Sequence, residues 1–158
     1  MNDLMPVLLK DTYSLSQLKH RLRILKTNLL KSFFGGQAES IPPADLNWLK
    51  SLPSPFYTNF TKDNVYKIFS DLEDNIEKFT VLTMYLTFEP DEPTLSQIGS
   101  FARKTLNFPS LILDIKIEPH LVAGAAFSWK GVYKDYSLQG TLAQRKAEIL
   151  QGFRRFLR

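Results

Sequence analysis

Residues 65–88 read VYKIFSDLEDNIEKFTVLTMYLTF, and the fold turns on a change of rhythm inside that stretch. Val65, Ile68, Phe69, Leu72, Ile76 and Phe79 recur at spacings of three and four, which predicts an amphipathic helix from about Thr61 to Lys78 with Asp71, Glu73, Asp74 and Glu77 off its buried face. From Thr80 the period drops to two. Leu82, Met84, Leu86 and Phe88 alternate with Thr83, Tyr85 and Thr87, the pattern of a half-buried strand. A change of period from 3.6 to 2 is a change of architecture. The boundary near Lys78-Phe79-Thr80 therefore predicts an α+β chain of two domains, helical over residues 1–78 and α/β over residues 79–158.

Working outward toward the N-terminus, Leu15, Leu18, Leu22, Leu25, Leu29 and Phe33 make a second helical stripe, and Gly35-Gly36 supplies its stop. Lys19, Arg23 and Lys26 fall on another face and read as solvated. Between Pro42-Pro43 and Pro53, the apolar residues Leu46, Trp48, Leu49 and Leu52 predict one short helix. Downstream, Glu89-Pro90-Asp91-Glu92-Pro93 ends the first strand, and Thr94-x-x-Gln97 matches a capping box for a helix burying Ile98, Phe101, Ala102 and Leu106. Leu113, Ile115 and Ile117 then alternate with Asp114, Lys116 and Glu118, predicting a strand with one buried and one wet face that Pro119 stops. Lys130-Gly131 has the length of a two-residue hairpin turn between residues 125–129 and 132–138. The last helix, from about Gly140 to Leu157, is expected to carry Leu142, Ile149, Phe153 and Phe156 inward, with Arg145, Lys146, Arg154, Arg155 and Arg158 mostly outward. The C-terminal order is strand, helix, strand, hairpin, helix.

Composition narrows the function classes. At 158 residues with 44% hydrophobic residues and 7 glycines, the chain can build a cooperative core. It has no cysteine, which excludes disulfides, thiolate metal sites and cysteine nucleophiles. No apolar run reaches membrane-spanning length and no signal-peptide core precedes the first helix, so the expectation is a soluble chain that is not exported. The net charge of +4 hides an uneven distribution. Residues 61–92 hold three basic residues against eight acidic, and residues 139–158 hold five against one. An acidic middle and a basic tail suit docking to charged protein surfaces better than a continuous nucleic-acid footprint.

The residues that could carry chemistry lack the company that chemistry needs. Gly35-Gly36 follows a helix, the wrong context for a phosphate loop, which lies between a strand and a helix. His20 and His120 have no neighbouring ligand at metal spacing. Asp135 and Ser137 alternate on a hairpin strand, where turn and sheet hydrogen bonding accounts for them. No cofactor, metal site or catalytic group is expected.

Leu113 to Phe127, LDIKIEPHLVAGAAF, followed by GVYKDYSL over residues 131–138 and a terminal helix, resembles the C-terminal domain of the F-type ATP synthase delta subunit, the oligomycin-sensitivity-conferring protein of mitochondria. In that family a strand runs into an Asp-Pro-x-Leu-Ile-Gly-Gly-like turn, then a hairpin, then an Asp-x-Ser element before the last helix. Pro119, Leu121 and Gly124 match the turn, and Asp135 and Ser137 match the later element. The likeness covers residues 79–150 well and 14–78 only as a run of helices. Ala123 stands in for the first glycine of the pair, a costly exchange wherever φ must be positive. The family's opening Tyr-Ala-x-Ala-Leu signature is missing before Ser14, so the N-terminal bundle is expected to be shortened.

The resemblance implies a non-catalytic stator subunit of the peripheral stalk, holding the alpha/beta head to the b subunit on the cytoplasmic face of the bacterial inner membrane and meeting the membrane only through the complex. Alpha and b are the implied partners, with no nucleic acid. Phe153 and Phe156 among Arg154 and Arg155 are the candidate anchor for b, apolar residues with a basic rim. A basic nucleic-acid-binding or other adaptor module, and an unrecognised hydrolase, are the competing readings. Salt-sensitive DNA or RNA binding would mark the first, and turnover lost with one acidic residue the second.

Overall fold

The computed structural model describes residues 4–35, 41–79 and 81–156. Among them are seven α-helices and a four-stranded mixed sheet: α1 (Leu4–Leu9), α2 (Leu15–Phe34), α3 (Pro43–Ser51), α4 (Ser54–Tyr57), α5 (Val65–Glu77), β1 (Val81–Leu86), α6 (Glu92–Thr105), β2 (Ile112–Ile117), β3 (Ala125–Trp129), β4 (Val132–Asp135) and α7 (Leu138–Phe156). A 3-10 turn, Pro119–Leu121, follows β2.

The leucine stripe of α2 is buried as its spacing predicts, with Leu18, Leu22, Leu25 and Leu29 inside. Ser14 caps α2 by accepting the Gln17 amide, and Gly35 closes it at φ 78°. Gly36 lies outside the described residues. Helix α5 buries Val65, Phe69, Leu72 and Ile76 against α2. Phe60 stacks on Phe69 with ring centres 5.7 Å apart, an offset that adds to the area buried. The proline-rich connection holds two short helices rather than one, because Pro43 and Pro55 each sit in a first helical turn, where proline's missing N–H costs nothing. Helix α1 has no counterpart in the sequence reading. Its Leu4, Leu8 and Leu9 are buried, but six residues are too few for a stripe to stand out.

In the sheet the strand order is β2-β1-β3-β4, with β1 parallel to β2 and antiparallel to β3. Helix α6 links the parallel pair, as such a connection requires. The β3–β4 hairpin turns at Lys130 and Gly131 with φ of 48° and 80°, the double positive φ of a tight turn matched to strand twist.

Several expectations change. Asp91, not Thr94, caps α6, accepting the Thr94 amide at 2.9 Å. Pro93 then falls in the first turn, which its fixed φ favours. Leu95 and Ala102 pack toward the sheet and Gly99 is buried too, while Phe101 is 71% exposed and Leu106 39%. Gly99 is there because of proximity: a Cβ on it would run into the ring of Tyr13. Phe88 lies beyond the end of β1 and is exposed. Strand β2 is not wet on one side throughout. Ile112 packs into the helical core and Leu113 into the core under α6, whereas Ile117, at the far end of this edge strand, is exposed.

Arg103 ties the helices to the sheet. Its guanidinium donates to the carbonyls of Leu111 at 3.0 Å, Leu9 at 3.1 Å and Thr12 at 2.6 Å, and lies 4.7 Å over the Tyr13 ring. Three carbonyls from two segments, the end of α1 with the turn after it and the entry to β2, meet one rigid fork of donors, which lysine's single ammonium cannot reproduce. Arg103→Lys should therefore lose about 2 kcal/mol of unfolding free energy in a urea titration. An unchanged midpoint would show the fork to be incidental.

Candidate docking site at the base of the C-terminal helix

The five residues singled out on either side of the hairpin come together in one corner. Glu118 ends β2, Pro119 opens the 3-10 turn, and Leu121 points inward at 5% exposure. The chain then turns back on a single residue. Val122 has φ 67° and ψ −53°, and the Ala123 amide donates to the Leu121 carbonyl at 2.8 Å, so this is a γ-turn centred on a β-branched side chain. Positive φ thus falls on Val122 and Gly124, and Ala123 escapes the cost expected of it. Val122 itself is 65% exposed, so its side chain has little packing to set against the strain. Val122→Gly should raise stability by about 1 kcal/mol in thermal unfolding, the strain removed exceeding the entropy glycine adds to the unfolded chain. A fall would reveal a contact for the valine.

Gly124, at φ 85°, lies against the chain on the far side of the hairpin. A Cβ there would sit 2.6 Å from the Tyr136 carbonyl oxygen and 3.1 Å from Ser137 Cα. Backbone bonds lock the two segments: the Leu138 amide donates to the Ala123 carbonyl at 2.8 Å and the Tyr136 amide to the Ala125 carbonyl at 3.0 Å. Ser137, 1% exposed, is the cap of α7, its Oγ accepting the Gly140 amide at 3.0 Å. Asp135 Oδ1 accepts the Ser137 amide at 2.8 Å. Hydrogen bonds from the Ser137 side chain and amide hold the Asp135 carboxyl below the ordinary carboxylate range. A Cβ on Gly140 would come within 2.7 Å of the Asp135 carboxylate, which would have to swing aside to admit it. Asp135 and Ser137 are thus occupied in aiming a helix.

Helix α7 is held there and almost nowhere else. It touches the rest of the molecule chiefly at the 3-10 turn, and every described side chain from Thr141 onward is exposed. This overturns the expectation of an inward stripe: Leu142 is 48% exposed, Ile149 39% and Phe153 64%. The sequence pattern is amphipathic, but no α7 side chain joins the core between α6 and the sheet. The side chain of Phe156 lies outside the described residues.

At 100° per residue, Leu138, Leu142, Ile149 and Phe153 fall within an arc of roughly 60°. Arg145 and Lys146 flank that arc, each about 50° from its centre, while Arg154 and Arg155 turn away by about 130°. The basic rim of the stripe is therefore at mid-helix. Phe153 stands about 22 Å along the helix from the corner, so the anchor and the motif residues form the two ends of one lever. Leu142, Arg145 and Lys146, placed on this helix by the sequence, complete the surface together with Leu138, whose spacing of four from Leu142 was its only sign in the sequence.

A second groove runs between α2 and α5, with Lys19, Arg23 and Lys26 on one wall, Glu73 and Glu77 on the other, and Leu22 and Ile76 at its base. Lys26 and Glu73 pair across it at 3.2 Å. His20, read as solvent-facing, lies 3.1 Å from Asp45 of α3. Among the described residues no group of three or more histidine, cysteine or acidic side chains is placed to hold a metal, and no helix is long and apolar enough to cross a membrane. No family model matches this chain, and no curated protein matches it.

Proposed function

We propose that this chain is a non-catalytic stator subunit of an F-type ATP synthase, related to the delta subunit and joining the alpha/beta head to the b subunit. One observation carries the reading. The two short motifs by which the sequence resembles that family meet in one corner, where together they cap and aim a helix whose apolar stripe is uncovered. A link that transmits torque needs firm protein contacts and no chemistry, and an exposed stripe with flanking cations offers such a contact.

In this reading residues 1–78 form a shortened N-terminal helical bundle that meets the head, with the groove between α2 and α5 as its contact. Residues 79–158 form a small α/β domain that meets b through Leu142, Ile149, Phe153 and Phe156. The protein would sit on the cytoplasmic face of the bacterial inner membrane, peripheral and held through its partners. Purification of the tagged chain from its own membranes in mild detergent should bring down alpha and b together. Repeated recovery of nucleic acid or unrelated proteins, without alpha or b, would overturn the assignment.

A further inference from the structure

A helix is about 10 Å across and strands lie about 4.8 Å apart, so one helix covers roughly two strands of a sheet. Helix α6 lies alone on its face of a four-stranded sheet, its Leu95 and Ala102 packed with Leu82 and Leu113 of β1 and β2. Beside it runs a mainly apolar groove lined by Leu82, Met84 and Phe127 of the sheet and by Ile98, Phe101, Thr105 and Leu106. By the same spacing, a sheet of four strands has room for a second helix beside α6. A strand would find no open backbone there, because β1 and β3 pair with each other and both have outer neighbours.

The charges around the groove select among helices. Lys134 stands opposite Phe127 in the hairpin register and so on the groove's face, Lys130 lies 5.5 Å over the Trp129 ring, and Lys104 is on α6, whereas Arg103 is engaged with the carbonyls of Leu9, Thr12 and Leu111 and Asp135 with the Ser137 amide. The chain's own α7 is ill suited, since it carries Arg145, Lys146, Arg154 and Arg155 against Glu148 and would bring like charge to like. The acidic helix α5 cannot supply the occupant from a second copy, because its apolar face is already buried in the helical core.

We infer that the groove beside α6 receives the apolar face of a partner's amphipathic helix with acidic flanks, a second contact distinct from the stripe of α7. The inference rests on the docking role proposed for the C-terminal half, but not on which complex the chain serves. The probe is a pair of synthetic helical peptides with one leucine face, flanked by glutamates in one and by lysines in the other, titrated into the full-length ¹⁵N-labelled chain. The glutamate peptide should bind at least about tenfold more tightly, weaken as salt rises, and shift the amides of Met84, Phe101 and Phe127. Phe101→Glu, at a side chain exposed enough to leave the fold unchanged, should weaken it by about tenfold or more, with spectral dispersion retained. Equal affinity for both peptides, shifts confined to α7, or no binding by either would each overturn the inference. So would tighter binding of the glutamate peptide to Leu142→Glu, which would make α7 the groove's own occupant. None of these results bears on recovery of alpha and b from membranes, so the two readings fail separately.

Discussion

Gly124→Val is expected to speed amide exchange at Tyr136 and Leu138 by at least about two orders of magnitude, while leaving the amides of Leu22 and Phe69 unchanged. Two costs combine at this position. A β-branched side chain at φ 85° is strained by about 1–2 kcal/mol, and its Cβ would be forced against the Tyr136 carbonyl and Ser137 Cα, adding about 1–3 kcal/mol. Neither neighbour is a flexible side-chain end that can swing away. The easiest escape is to open the corner, breaking the bonds from Tyr136 to Ala125 and from Leu138 to Ala123. Because α7 meets the body chiefly there, that opening does not need the helical core to move. Gly131→Ala is the control: its φ of 80° carries the backbone cost, but nothing lies within 4 Å of the added Cβ. It should leave exchange at Tyr136 and Leu138 unchanged and loosen only the hairpin tip, by about 1 kcal/mol. Equal effects from the two substitutions would mean that close approach at Gly124 contributes little.

The contrast between these glycines shows what sequence pattern conveys and what it leaves out. Periodicity marks which residues of an element share a face, so the stripes of α2 and α5 and the alternation in β1 were legible residue by residue. It does not say what covers that face. Leu18 and Phe153 stand in similar patterns, yet one is fully buried and the other largely exposed, because the body of the fold closes over α2 and not over α7. Caps were poorly legible: Ser14 was not read as the cap of α2, and the cap of α6 moved three residues because Asp91 competed with Thr94 for the same role. The fork of Arg103 was not legible at all. It depends on three carbonyls that lie up to 94 positions from Arg103, and in sequence the residue is only one more cation on a helix. The corner lay between these cases. Resemblance singled out Pro119, Leu121, Gly124, Asp135 and Ser137, whereas the strained Val122 between them carries no sequence mark, since nothing about valine suggests positive φ.

The double substitution Ile149→Ala and Phe153→Ala should leave circular dichroism and the thermal midpoint nearly unchanged, yet weaken binding of a peptide from the C-terminal end of the b subunit by about 4 kcal/mol, close to a thousandfold. The first half of this expectation follows from exposure. Residues 39% and 64% open to solvent, on a helix with no buried residue among those described, contribute little to the fold, and alanine is a better helix former than either. The second half follows from what a partner would do to them. A helix packed along the Leu138, Leu142, Ile149 and Phe153 arc would bury both side chains, and truncating two of its four anchors removes apolar area and opens a void. Arg145→Glu with Lys146→Glu, on the flanks of the same arc, should act differently, slowing association and reversing its salt dependence more than it speeds dissociation. Arg154→Glu with Arg155→Glu, turned to the other side of the helix, should do less than the mid-helix pair. If the Arg154 and Arg155 substitutions prove the more damaging, the partner lies across the back of α7 and the apolar arc is not its seat. If the alanine pair unfolds the chain, α7 is covered in solution, and the stripe belongs to the fold after all.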